Sequence, residues 1–296
     1  MSNRPKISVI MPVYNGEGYL KDSILSIVNQ TFNPFEFIIV DDCSTDGSFE
    51  IIKDFACQHD VIKVIRNNLR LGHTKSLNKA LRLARGEYVA RQDADDISLP
   101  RRFEEQMKFF KTNPKTALLG TSIYIIDKNG RILDKKIASK LPWESLHKSN
   151  GFFHGSVIFR KAVVDELGGY NELFEMAEDY ELWLRIGKRH PIRNLPSKLY
   201  AWRIHKNNVS LTKRSKEFLF TILARKTSAS ATKNDELTNL VAKCKPKVMY
   251  SILTIREKFI MYTIYIRGLL YKSSLQTGFG RGILNALRTL RRNIFF

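Results

Sequence analysis

Apolar runs and helical patterns alternate along the first hundred residues. The segment ISVIMPVYN, residues 7–15, is a nearly continuous apolar run entering a polar turn, the pattern of a buried strand. In YLKDSILSIVNQ, Leu20, Ile24, Ile27 and Val28 recur at helical spacing. FEFIIVDDCSTDG then reads as a strand ending in a polar turn, SFEIIKDFACQH as a helix and VIKVIRN as a strand. TKSLNKALRLA reads as a helix, and EYVARQDADD as a strand followed by acid. This alternation predicts a parallel sheet with helices on both faces. Ligands of such sheets bind beyond the carboxyl ends of the strands. The turns PVYNGE, DDCSTDG and QDADD all fall at those ends, so they are expected to share one crevice.

Past Pro100 the pattern continues with a helix (RRFEEQMKFFK), a strand (TALLGTSIYIID) and a hairpin turn (DKNG). GSVIFRKAVVDELGG reads as a strand and a short helix stopped by glycines, AEDYELWLRIGKRH as a helix and KLYAWRIH as a further strand. From about Asn207 the chain turns helical and basic, unlike what precedes it.

Charge sharpens that division. Residues 206–296 carry 18 Lys or Arg against 4 Asp or Glu, a net +14, whereas the first 205 residues carry 31 against 25, only +6. Zinc-finger spacing and RNA-binding signatures are missing, so nucleic acid is not the expected partner. Cys43, Cys57 and Cys244 make an odd number with no CxxC spacing, which favours a reducing compartment. No run of eighteen apolar residues occurs, and FIMYTIYIRGLLY is too short to span a bilayer and contains Arg267. The N-terminus shows no signal-peptide pattern, so a cytoplasmic location is expected.

The chemistry is concentrated in YVARQDADDISLP, residues 88–100, where Asp93, Asp95 and Asp96 fall within four positions. Carboxylates this close repel one another unless a hard divalent cation such as Mg²⁺ or Mn²⁺ lies between them, usually with a substrate phosphate as co-ligand. The bland alternative is an acidic turn in which Asp95 or Asp96 caps the following helix. An EF-hand is disfavoured, because the loop glycine and the terminal glutamate are missing at their spacing. VYN and VDDCSTDGS supply a ring, an amide and carboxylates suited to a nucleobase and ribose, although Asn15, Gly16, Asp46 and Gly47 are also ordinary turn formers.

Taken in order, SVIMPVYNGEGYLKDSILSIVNQTF, FEFIIVDDCSTDGS, LNKALRLARGEYVARQDADDISLP, HGSVIFRK, GGYNE, AEDYELWLR and AWRIH resemble the family 2 glycosyltransferases, a large inverting family. The likeness runs from about Lys6 to Ser210. It implies a GT-A fold, a Rossmann-like and mostly parallel α/β sheet, as a catalytic domain over residues 1–210 with a basic helical region over 211–296. It implies sugar transfer from a nucleotide-sugar to a hydroxyl of a glycan or lipid-linked acceptor, with Mn²⁺ or Mg²⁺. The family pattern would place Pro12, Tyr14, Asn15, Glu17, Asp42, Asp93, Gly155 and Glu178 around the donor. Asp93 and Asp95 would be the DxD pair, with His205 completing the metal site, and Asp179 would be the catalytic base. Asp42 suits a uracil imide, while dTDP and GDP donors stay open. A non-catalytic nucleotide-sugar binder is the alternative, one that would not need Asp179.

On a helical wheel, Phe279, Ile283, Leu287, Leu290 and Ile294 share one face of the final segment. Arg281, Arg288 and Arg292 gather opposite, with Arg291 at their edge. A basic amphipathic helix of this kind suits an anionic membrane surface, here the inner face of the cell membrane, or a helical cap with a solvated basic side.

Overall fold

A computed structural model of the chain describes residues 5–138, 146, 147, 149–205, 220–225 and 228. The chain divides into two compact units, Met1–His205 and Lys206–Phe296. The elements named below belong to the first. The domain boundary expected after residue 210 and the basic helix expected over Phe279–Phe296 lie outside the described residues.

Nine strands form one sheet: β1 (Ile7–Val13), β2 (Phe35–Asp41), β3 (Ile62–Arg66), β4 (Tyr88–Arg91), β5 (Ile97–Ser98), β6 (Leu118–Ile126), β7 (Ile132–Lys136), β8 (Ile158–Arg160) and β9 (Ile192–Arg203). Their order is β3-β2-β1-β4-β8-β6-β9-β5, with β7 paired to β6. The helices are α1 (Glu17–Val28), α2 (Ser48–Gln58), α3 (His73–Leu83), α4 (Arg102–Thr112), α5 (Lys161–Glu166) and α6 (Glu178–Gly187). β1 to β4 are mutually parallel, as their alternation with helices predicts. Beyond β4 the sheet is mixed: β8 runs antiparallel to both β4 and β6, and β7 is the return strand of the DKNG hairpin. β6 and β9 pair in parallel.

β1 and β2 are buried along their whole length because helices cover both faces. Val9, Met11 and Val13 share a core with Leu20, Ile24 and Ile27 of α1, Ile52 of α2 and Phe103, Met107 and Phe110 of α4. Ile10 and Ile38 point the other way and are equally buried, and α3 packs against β1 and β2. Each such side chain contributes roughly 1.5–3 kcal/mol on burial.

Register sets the depth of the crevice. The ends of β1 and β2 are level, with Val13 opposite Asp41. β4 stops at Arg91, level with Ile10, so the acidic turn begins inside the footprint of the sheet. A buried polar network holds it there. Gln92 Nε2 donates to Ser23 Oγ (3.0 Å) and to the Asp96 carbonyl (3.0 Å), while its Oε1 accepts from Ser98 Oγ (2.7 Å). Arg102, fully buried, donates to Ser98 Oγ (2.8 Å) and to the Val157 carbonyl (3.0 Å).

Candidate active site

The three polar turns do converge. Asn15, at φ +51°, takes the left-handed conformation that asparagine tolerates. Its N–H donates to Ser44 Oγ (3.0 Å), and its side-chain oxygen accepts from the Thr45 N–H (2.9 Å). Glu17 likewise accepts from the Gly47 N–H (3.0 Å). Asn15 and Glu17 thus tie the β1 turn to the β2 turn. Pro12 lies in β1, opposite Val40 of β2. Tyr14, just past β1, is exposed and stacks under the Arg70 guanidinium, 3.9 Å from the ring centroid. Asp42, buried, accepts at 2.8 Å from Asn67 Nδ2, from the Leu71 N–H and from the Gly72 N–H. It thereby anchors the β3–α3 loop beside the Tyr14 ring.

The acidic turn occupies the middle of the crevice. The Asp93 N–H donates to Tyr200 Oη (3.2 Å), and its carboxylate accepts from Arg91 Nη2 (2.7 Å). Burial, reinforced by the Asp95 charge, raises the Asp93 pKa against the opposing pull of Arg91 and Arg102. Asp95 Oδ2 lies 2.8 Å from His205 Nε2. Asp96 is buried and accepts from the Arg203 N–H (2.8 Å); burial and the charges of Asp95 and Asp93 push its pKa well up. The cap of α4 is Arg101, with no side-chain cap bond, so helix capping is not the role of these aspartates. Gly155 sits in a short 3-10 turn, His154–Ser156, against this group. A Cβ on Gly155 would lie 2.0 Å from Tyr200 Oη and 2.7 Å from Asp93 Oδ2, so only glycine fits.

Glu178 and Asp179 open α6. Asp179 accepts from Asn150 Nδ2 (3.2 Å) and from the Tyr180 N–H (2.6 Å). It therefore also serves the first turn of its own helix. Burial lifts its pKa to about 6, with the Asp93 charge adding to the effect. Burial and the Asp179 charge lift Glu178 to about 8. His73 and His154 stand beside Glu178, with one ligand atom from each of the three within 4.8 Å of the others. Their spacing could hold a metal ion. Arg91 Nη2, however, lies 3.1 Å from His73 Nε2 and places a positive charge there. Desolvation and the Arg91 charge lower the pKa of the half-buried His154, and the Arg91 charge also opposes protonation of His73, whose side chain is exposed.

Asp95 and His205 also stand at a spacing that could hold a cation. Two adjacent ligands of an octahedral ion at 2.0–2.1 Å stand about 3 Å apart, close to the 2.8 Å seen here. Carboxylate and imidazole together suit Mn²⁺ and tolerate Mg²⁺. Asp93, engaged by Arg91, is less free to turn toward the same ion.

Asn67, Arg70, His73, Arg91, Asn150, His154 and Tyr200 were not singled out by sequence pattern. Arg91 could have been: in β4 it shares a face with the apolar Val89, and it is fully buried just before the acidic turn. Trp183, by contrast, is core as its helical spacing predicts, packed against Phe152, His154, Phe159 and Tyr170.

Residues 8–168 match the model of glycosyl transferase family 2. The O-antigen biosynthesis glycosyltransferase WbnJ of Escherichia coli is 36% identical over 211 residues, covering 67% of this chain and 80% of WbnJ. Among solved structures, Staphylococcus aureus TarS in complex with UDP-GlcNAc superposes with a TM-score of 0.61 at 20% identity, over 89% of this chain and 81% of that one. The mannosyltransferase PcManGT of Pyrobaculum calidifontis, in complex with GDP-Man and Mn²⁺, gives a TM-score of 0.63 at 17% identity, over 98% and 81%.

Proposed function

The chain belongs to glycosyl transferase family 2 and is a glycosyltransferase, and from that premise we propose that it is a metal-dependent, inverting one. The donor is a nucleotide-sugar, UDP-linked, and the acceptor is a hydroxyl of a glycan or lipid-linked glycan in bacterial surface polysaccharide assembly. WbnJ, an O-antigen enzyme, supports the biosynthetic setting. The observation that carries the proposal is the order of groups across one crevice. Asp42 and Tyr14 stand at the base end, Asp95 and His205 at the diphosphate end, and Asp179 beyond Gly155.

The residues divide the work. Tyr14 offers a ring face to the base once Arg70 swings aside, and Asp42 has acceptor capacity left for an imide N–H. Asp95 and His205, with Asp93 beside them, would hold Mn²⁺ or Mg²⁺, which supplies charge neutralisation at the departing diphosphate. Gly155 lets Tyr200 and Asp93 approach the 154–156 turn closely, so that turn can form a wall beside the donor sugar. Asp179 takes the proton from the acceptor hydroxyl as its oxygen bonds to the anomeric carbon. The bond from that carbon to the diphosphate breaks on the opposite face, and the electron pair leaves with the diphosphate. Such base catalysis contributes typically 10²–10⁴-fold. A pKa of about 6 keeps Asp179 ionised at neutral pH and more basic than an ordinary aspartate.

No helix among the described residues is long and apolar enough to cross a membrane. The net +14 of residues 206–296 supports peripheral association with the inner face of an anionic membrane. Calorimetry with UDP and GDP, with Mn²⁺ or EDTA, followed by product analysis with UDP-sugars, tests the core of the proposal. Tight Mn²⁺-dependent UDP binding is expected. Equal affinity in EDTA, or retention of anomeric configuration, would refute it.

A further inference from the structure

On the side of the acidic turn away from Asp42 the crevice has a rim that the donor does not need. Lys136 of β7, exposed, holds its ammonium 4.9 Å from the Trp202 ring centroid and 5.9 Å from that of Phe153. Both rings are half-buried. Register explains the grouping. Lys136 and Tyr200 both pair with Ile123, and Trp202 follows Tyr200 on the same face of β9. Tyr200 accepts from the Asp93 N–H, so this face continues from the acidic turn onto the rim. One short loop, residues 150–156, carries the Asn150 partner of Asp179, Phe153 of the rim and Gly155 of the donor side. A molecule lying on the rim is therefore held by the same segment that orients the proposed base.

We propose that Trp202, Phe153 and Lys136 form an acceptor subsite for a pyranose ring bearing an anionic group, a carboxylate or a phosphate ester. This rests on the transferase function proposed above. Aromatic faces pack against the C–H face of a pyranose ring, and the ammonium, now turned onto the rings, would pair with the anion. Aromatic rings beside the Lys136 ammonium suit an amphipathic sugar that carries an anionic group. The core of the sheet stays intact when the rim is altered, because β7 is exposed along its whole length.

The test uses the full chain with saturating UDP and Mn²⁺, and three probes: octyl β-glucuronide, octyl β-glucoside and the octyl phosphodiester of glucose. Binding is read by ligand-observed NMR. The glucuronide or the phosphodiester is expected to bind about tenfold more tightly than the neutral glucoside, the usual size of a charge-assisted bond. Which of the two wins separates carboxylate from phosphate. Lys136→Met should abolish the preference, Lys136→Arg should keep it, and Phe153→Leu should weaken all three probes. UDP affinity should be unchanged in every variant, which also shows that each is folded. Equal binding of neutral and anionic probes, or a preference that survives Lys136→Met, would overturn the subsite. If wild-type protein ignores UDP yet shows the Lys136-dependent preference, the rim stands and the donor assignment falls.

Discussion

Asp42, at the end of β2, accepts three protein hydrogen bonds at 2.8 Å, whereas Asp179, opening α6, accepts one from Asn150 at 3.2 Å and one from its own helix. The two regions use carboxylate in different ways. At Asp42 three N–H groups converge on one buried side chain and fix the β3–α3 loop. At the opening of α6 two carboxylates stand together, Asp179 beside Glu178, and desolvation holds both above the ordinary pKa range.

The largest expected effect breaks the transfer end alone. Asp179→Asn should lower transfer by about 10²–10⁴-fold while UDP affinity stays as in the wild type. Steady-state transfer beside calorimetry decides it, and near wild-type turnover would remove Asp179 from the role of base. In the unaltered enzyme, kcat/KM for transfer should rise with pH through about 6 as Asp179 loses its proton. A profile flat across that value would break the link between burial and basicity.

Asp42→Ala breaks the other end. It strands the Leu71 and Gly72 N–H groups, each worth roughly 1–3 kcal/mol when left unpaired, while Asn67 keeps its bond to Ser76 Oγ (3.0 Å). A stability loss of about 3 kcal/mol by denaturant titration is expected, together with loss of UDP binding. A fully stable variant would show that the loop does not depend on this carboxylate.

Gly155→Ala tests the join between the two ends. The added methyl would meet Tyr200 Oη and Asp93 Oδ2, so Tyr200 or the turn must shift, at about 1–3 kcal/mol. Thermal melting should show the cost, and a donor KM that rises more than the UDP Kd would place the damage at the sugar.

The smallest effect concerns Glu178. Its folded pKa of about 8 lies above the unfolded value near 4.5. Between the two the native state binds more proton than the unfolded state, so stability falls as pH rises through that window. Glu178→Gln removes the penalty. Its melting temperature relative to wild type should be higher at pH 8 than at pH 5. The same difference at both values would mean that Glu178 is already ionised in the fold.

How far the sequence discloses the site depends on how far apart the partners are. The acidic turn lies within a few residues and its chemistry is legible there, whereas Gly155, Glu178 and Asp179 stand out only through the family resemblance. Arg91 stands two residues from its partner Asp93, yet its burial and its contact with His73, 18 residues back, depend on the fold. The Asp95–His205 contact joins positions 110 apart, and Asp93 meets Tyr200 across 107. Asn15 and Glu17 read as ligand groups, and the structure gives their bonds to the facing turn.

By itself the sequence determined most strands and helices of the first 205 residues, though not β5 or the start of β9, because hydrophobic period and turn residues are local properties of the chain. The alternation of β1 to β4 with helices also required parallel strands, so the turns at their carboxyl ends had to meet. Only the tertiary structure decided the reversal of β8, the stop of β4 three residues short of β1, and the burial of Arg91 beneath the acidic turn. It likewise decided which carboxylates are held above their ordinary pKa. The reason is that burial and field at a side chain are set by every element packed around it, and those elements come from distant parts of the chain.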